Sequence, residues 1–347
     1  MKVGRIQPLV ESALFFKTTD GRTATLYTLQ SGSFSASICD WGATLVSMQI
    51  PSAGGDAVDV LLGHENPYEY EQNRGHFGAT VGRFANRIVQ GTFSLDGIAY
   101  ALDINEGEHH LHGGFNGFSN RLWTAVAGTD EERAFIQLET RSPDGESGYP
   151  GNVAVSARFT LSPTGDLRVV YKGTSDKATP LSITSHPYFN LQGRGNVLGH
   201  VLRLRSDTVL PVGAGRIPSG PPVFVSGTVL DVSVDSIVGD VVARTGGVDA
   251  CYPVLEPGDL STPAAVLRDP GSGRSLELYT DMPAIQLYTG NSLGGRHGKG
   301  GTVYENWSGL CLEPEYFPDS PNHPDYPDCV LRPGNTYRHE LRFVFRP

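Results

Sequence analysis

Apolar residues fall at every second position over much of this chain. Phe34, Ala36 and Ile38 share one phase, Leu167, Val169 and Tyr171 another, and Tyr337, His339, Leu341, Phe343 and Phe345 a third. Successive side chains on a strand point to opposite faces, so this spacing predicts strands with one buried face. Turn chemistry separates them. Asp96-Gly97, between 92–95 and 98–102, suits the positive φ angles of a two-residue hairpin, and further hairpins are predicted at 163–166 and 269–274. One short helix is expected around 67–73, and no long 3.6-period segment is available to cross between parallel strands. The polar stretches 213–220 and 290–301 are loop-sized, strand patterns continue on both sides of each, and no repeat of fixed period is visible. The expected architecture is all-β, a single large antiparallel β-sandwich forming one domain over 1–347.

Composition fits that picture and narrows the partners. The 43 glycines and 24 prolines are scattered between apolar stretches, as short strands joined by tight turns require. A formal charge of -10 with no basic run argues against nucleic acid and leaves a neutral small molecule favoured over a phosphorylated one. Cys39, Cys251, Cys311 and Cys329 are too far apart for a C-x-x-C site or a dense disulfide framework, so free buried thiols are expected. No apolar stretch approaches the roughly 20 residues of a membrane span, and no secretory h-region opens the chain. A cytoplasmic protein, monomeric or homodimeric, with no membrane contact is the expectation.

Six segments carry candidate chemistry. In Gly82-Arg83-Phe84-Ala85-Asn86-Arg87-Ile88, a guanidinium and an amide could bind vicinal hydroxyls, or serve as a structural ion pair and a turn asparagine. In His109-His110-Leu111-His112-Gly113-Gly114, strand geometry would point His110 and His112 the same way, which admits an H-x-H metal site as well as a surface histidine cluster. His186, between Thr184-Ser185 and Pro187-Tyr188-Phe189, is either a proton carrier titrating near neutral pH or a capped core histidine. Glu313 ends the apolar run 310–312, where partial desolvation would raise its pKa, and Glu315 shares its face if the strand continues. That pair also permits a two-carboxylate glycosidase reading. Asp249 and Gln286 add acceptors and donors, and neither is diagnostic alone.

Taken in order, these segments resemble the galactose mutarotase (aldose 1-epimerase) family. The likeness runs through G-R-x-A-N-R-I, L-H-G-G, H-x-Y-F-N-L, Q-x-Y-T-G-N, S-P-N-H-P and L-R-P-G, and covers nearly the whole chain. It implies a β-sandwich with its site on one concave face, no metal and no organic cofactor, and a free monosaccharide as substrate. Carried over by motif, Glu313 is the general base, His186 the general acid and His112 an assistant near the ring oxygen, while Asn86, Arg87, Asp249 and Gln286 bind hydroxyls. Two flanks depart from the family pattern: Ser185 and Pro187 around the histidine, and Val248, Ala250 and Cys251 around the aspartate. The implied chemistry needs an ionised glutamate beside a protonated histidine, hence a bell-shaped pH dependence. A non-catalytic carbohydrate-binding protein, and a metal-dependent β-barrel enzyme using the 109–112 histidines, are the alternatives.

Overall fold

The computed structural model describes residues 7–52 and 55–347. Its largest sheet has nine strands in the order Thr124–Asp130, Arg133–Ser142, Val153–Leu161, Asp166–Ser175, Tyr337–Arg346, Ser275–Thr280, Ala265–Arg268, Val201–Leu204 and Ser236–Ile237. A five-stranded meander, Leu9–Lys17, Thr23–Ser31, Phe34–Cys39, Thr44–Pro51 and Ala57–Asp59, packs against it. A third sheet of four strands runs Tyr188–Phe189, Leu310–Glu315, Ala284–Tyr288, Asp249–Pro253. Neighbours in all three sheets pair antiparallel.

Alternation explains the layers. Val153–Leu161 buries every other residue completely, and those side chains meet Leu29, Ala36 and Ile38 of the meander in one apolar cluster that reaches Leu312, Phe343 and Phe345. Each fully buried Leu or Phe in such a layer contributes about 1.5–3 kcal/mol. The two faces of the sandwich are therefore welded by ordinary hydrophobic burial. All four cysteines are buried and unpaired, as their spacing led one to expect.

The three hairpins form where the turn residues placed them, and Asp96 and Gly97 both take positive φ, 50° and 80°. Expected around 67–73, the helix is a single turn, Glu69–Gln72, stopped by Asn73 in the left-handed region. A second helix, Val238–Thr245, was not expected. Its β-branched residues and Gly239 are poor helix formers, but Val238, Val241 and Val242 lie on one face and bury there, which outweighs propensity; Gly246 closes it at φ 75°.

Candidate active site

The four-stranded sheet supplies the acids. Leu310–Glu315 is flanked on both sides by other strands, so all six of its residues are buried. The two-residue period sends Glu313 and Glu315 to the same face. Gln286 lies directly opposite Glu313, and its Nε2 donates to Asp249 Oδ1 of the next strand at 2.6 Å. Three carboxyls and an amide thus share one surface.

Histidines reach that surface from loops. Arg87–Ile88 and His110–Leu111 make a two-residue ribbon that ends at once, because His112 turns left-handed with φ 52°. The backbone N–H of Asn86 donates to His112 Nδ1 at 3.0 Å, which fixes that ring. Behind it Gly113, at φ 90°, lies so close to the Gly82 carbonyl that a Cβ would sit 1.9 Å from the oxygen. His186 is held by its own backbone, bonded to Ala79 and Gly78, and by its ring stacked on Tyr188 at 5.1 Å. Its Nε2 is 3.4 Å from Glu313 Oε2, and its centroid is 5.5 Å from that of His112.

The hydroxyl-binding candidates close the ring of contacts. Asn86 Nδ2 donates to Glu315 Oε1 at 2.7 Å, and Asn86 Oδ1 accepts from the Arg87 backbone N–H. Arg87 itself is clamped bidentately by Glu106, both bonds 2.9 Å. Asp249 pairs with Arg216 at 2.7 Å from the loop 213–220. Buried Gln286 Oε1, Glu313 Oε2 and Glu315 Oε2 have no hydrogen-bond partner among the described residues. Native proteins rarely leave three such atoms orphaned together unless a ligand or water satisfies them.

Electrostatics differ from the ionic pair the sequence led one to expect. Burial, with Glu315 and Asp249 beside it, pushes Glu313 well above the ordinary carboxylate range, and burial raises Glu315 to about 8. Desolvation with His76 nearby lowers His186 to about 3, and burial also holds His112 far down. Burial therefore keeps the proton of the pair on Glu313 and leaves His186 neutral.

His110 and His112 do not form an H-x-H site: His110 is buried with Nδ1 on the Asp103 carbonyl and Nε2 on the Tyr149 hydroxyl, each at 2.8 Å. Donor atoms within 4.8 Å of one another come instead from His112, His186 and Glu313, a spacing that would also admit a small cation. Arg83 is structural, its guanidinium bonded to Ser142 and to the carbonyls of Pro143 and Pro150. His76 also joins the site, its ring 4.8 Å from that of His112 and 5.9 Å from that of His186; a lone histidine in a glycine-rich loop carries no signal of such a role in the sequence. Glu315 joins the site as well, on the face the strand period predicts. A cavity of about 870 Å³ between the 92–101 hairpin and 320–330 is lined by Asn322 and His323, both bonded to Asp319.

Fold and site together define a mutarotase-like β-sandwich with an acid-base cluster on one sheet face. The aldose 1-epimerase family model matches residues 25–344, and the chain belongs to that family. It is 40% identical to galactose mutarotase of Mus musculus over 330 residues, 94% of this chain and 95% of that protein. To aldose 1-epimerase of Escherichia coli K12 it is 36% identical over 336 residues, 94% and 96% of the two chains. Among solved structures, galactose 1-epimerase from Lactobacillus acidophilus superposes with TM-score 0.86 at 25% identity, covering 97% of this chain and 98% of that one. The homologue from C. elegans gives 0.85 at 29%, covering 91% and 96%. The protein is an enzyme of the isomerase class. Among the described residues no helix is long and apolar enough to cross a membrane.

Proposed function

We propose that this enzyme interconverts the α and β anomers of a free, neutral aldose such as galactose or glucose, with Glu313 and His186 as its proton carriers. The observation that carries the proposal is the buried contact of 3.4 Å between them, set among orphaned polar atoms suited to sugar hydroxyls. In ring opening Glu313 takes the proton from O1 as the C1–O5 bond breaks, and His186 Nε2 gives a proton to O5. Rotation about C1–C2 exposes the other carbonyl face, and closure runs the same transfers backward. Sugar hydroxyls donating to the carboxylates would favour the ionised glutamate, reversing the proton distribution that burial alone sets. His112 assists near the ring oxygen, and Asn86, Arg87, Asp249 and Gln286 orient the hydroxyls.

Positioned proton transfer contributes on the order of 10²–10⁴-fold, which suffices for a reaction that already proceeds in water, so neither a metal nor an organic cofactor is required by this chemistry. Turnover is expected to survive exhaustive chelation. Polarimetry on freshly dissolved α-galactose tests the assignment: Glu313→Gln should lower kcat by about 10²–10⁴-fold with sugar affinity within a few fold, and His186→Asn should slow ring opening comparably. Near-normal turnover in either variant would remove that residue from the mechanism. We further infer that the chain folds as one domain, supported by an apolar cluster running from Leu29 to Phe345, and that it resides in the cytoplasm, where four unpaired cysteines are stable.

A further inference from the structure

Behind the reacting face of His186 lies a contact that the motifs do not mention. Its Nδ1 is 3.5 Å from the Sγ of Cys311, two residues before Glu313 on the same strand. Cys311 is fully buried, and its sulfur is the side-chain group that faces Nδ1, with the backbone of His186 itself also reaching the ring. The Tyr188 hydroxyl is also within reach of the thiol. The ring is thus held at two ends, Nε2 toward Glu313 and Nδ1 toward sulfur.

We propose that Cys311 is a positioning residue that accepts the Nδ1–H of His186 and so keeps Nε2 as the nitrogen that exchanges protons with the sugar and Glu313. This rests on the assignment of His186 as the acid. The balance of ring opening requires it: the O1–H bond breaks to Glu313, the C1–O5 bond breaks, and O5 takes the proton from Nε2. That leaves a neutral imidazole whose only hydrogen is on Nδ1. A ring locked in the opposite tautomer, with the thiol donating to Nδ1, would meet the buried acid Glu313 with an N–H instead of a lone pair. It could then neither accept nor return the proton across 3.4 Å. Burial, which leaves the proton on Glu313 and the imidazole neutral, supports the same arrangement.

Sulfur suits the position for a second reason. Where a carboxylate behind a histidine stabilises the imidazolium and makes it a weaker acid, a thiol is a poor acceptor and does so little. Cys311, held protonated by burial beside Glu313, orients the ring without adding charge. His186 is therefore left a strong acid, as protonation of a weakly basic ring oxygen demands.

Nitrogen-15 NMR of histidine-labelled protein at neutral pH reads the tautomer directly. The wild-type enzyme should show His186 neutral with the proton on Nδ1. Cys311→Ala should move the ring toward the Nε2–H form and lower kcat roughly tenfold with KM little changed, and Cys311→Ser, whose hydroxyl can accept the same bond, should restore both. An Nε2–H tautomer in the wild type overturns the proposal without any variant. So does Cys311→Ala with unchanged tautomer and turnover. His186→Asn separates the two levels: full activity there would remove the underlying acid assignment, whatever the spectrum of the wild-type ring.

Discussion

Glu313 and His186 hold one proton between them over 3.4 Å, and the location of that proton governs the response to pH. Turnover needs the pair singly protonated, so kcat/KM should fall when His186 gains a second proton and again when Glu313 loses the last one. Burial places the acid limb near the His186 value of about 3, far below the usual histidine range, and lifts the alkaline limb above the usual glutamate range. A stopped-flow or polarimetric profile should therefore be broad across neutral pH, with loss at both extremes. An acid limb between pH 6 and 7, where an ordinary histidine titrates, would contradict it. Glu315 modulates the upper limb. Raised to about 8 and bonded to Asn86, it adds a negative charge that helps hold the proton on Glu313 only in alkali, so Glu315→Gln should move the alkaline limb to lower pH than in the wild type.

Among the elements, the ribbon Arg87–Ile88 with His110–Leu111 shows how little regular structure the site needs. Two residues of ladder, a left-handed histidine and a glycine under a carbonyl set His112 in place. Gly113→Ala is expected to push the Gly82 carbonyl away and to misplace His112 and Asn86 together. The measurable outcome is a lowered melting temperature with a fall in kcat/KM, and a variant as stable and active as the parent would refute the close approach. Where the chain obeys period two, its role was legible in advance. The hairpin at Asp96-Gly97 and the shared face of Glu313 and Glu315 both follow from spacing alone. What stayed hidden depended on partners distant in sequence. Period and spacing alone do not tell His110, bonded to Tyr149, from His112, bonded to Asn86, or Arg83, caged by carbonyls, from Arg87 beside the acids; only the motif resemblance separated them. The helix Val238–Thr245 was masked because its valines read as strand until their buried face is known.

For the whole molecule, the buried ionisable groups set opposing trends in stability. Glu315 and Glu313 have raised folded-state pKa values, so their contribution is complete below the unfolded value of about 4.5 and is lost as pH rises, for Glu315 through about 8. His64, His76, His110, His112, His186 and His200 are depressed, so their contribution is present above about 6.5 and is lost as pH falls, through about 4 for His76 and about 3 for His186. Between about pH 8 and 6.5 only the carboxyls act and acidification stabilises; below 6.5 six histidines outweigh them. Thermal melts in a pH series should accordingly peak near pH 6–7, and Glu315→Gln should flatten the alkaline side. A monotonic rise toward pH 9 would be incompatible with a protonated Glu315. The nine-stranded sheet carries a different consequence. Tyr337–Arg346 lies in its middle, between Asp166–Ser175 and Ser275–Thr280, so the strand that joins the two halves of the sheet is the last of its strands to be synthesised. Until it emerges, the two halves of the sheet present bare edges to each other and to neighbouring chains. The nascent protein is then most exposed to mispairing just before synthesis of residue 346, when a chaperone would have most to do.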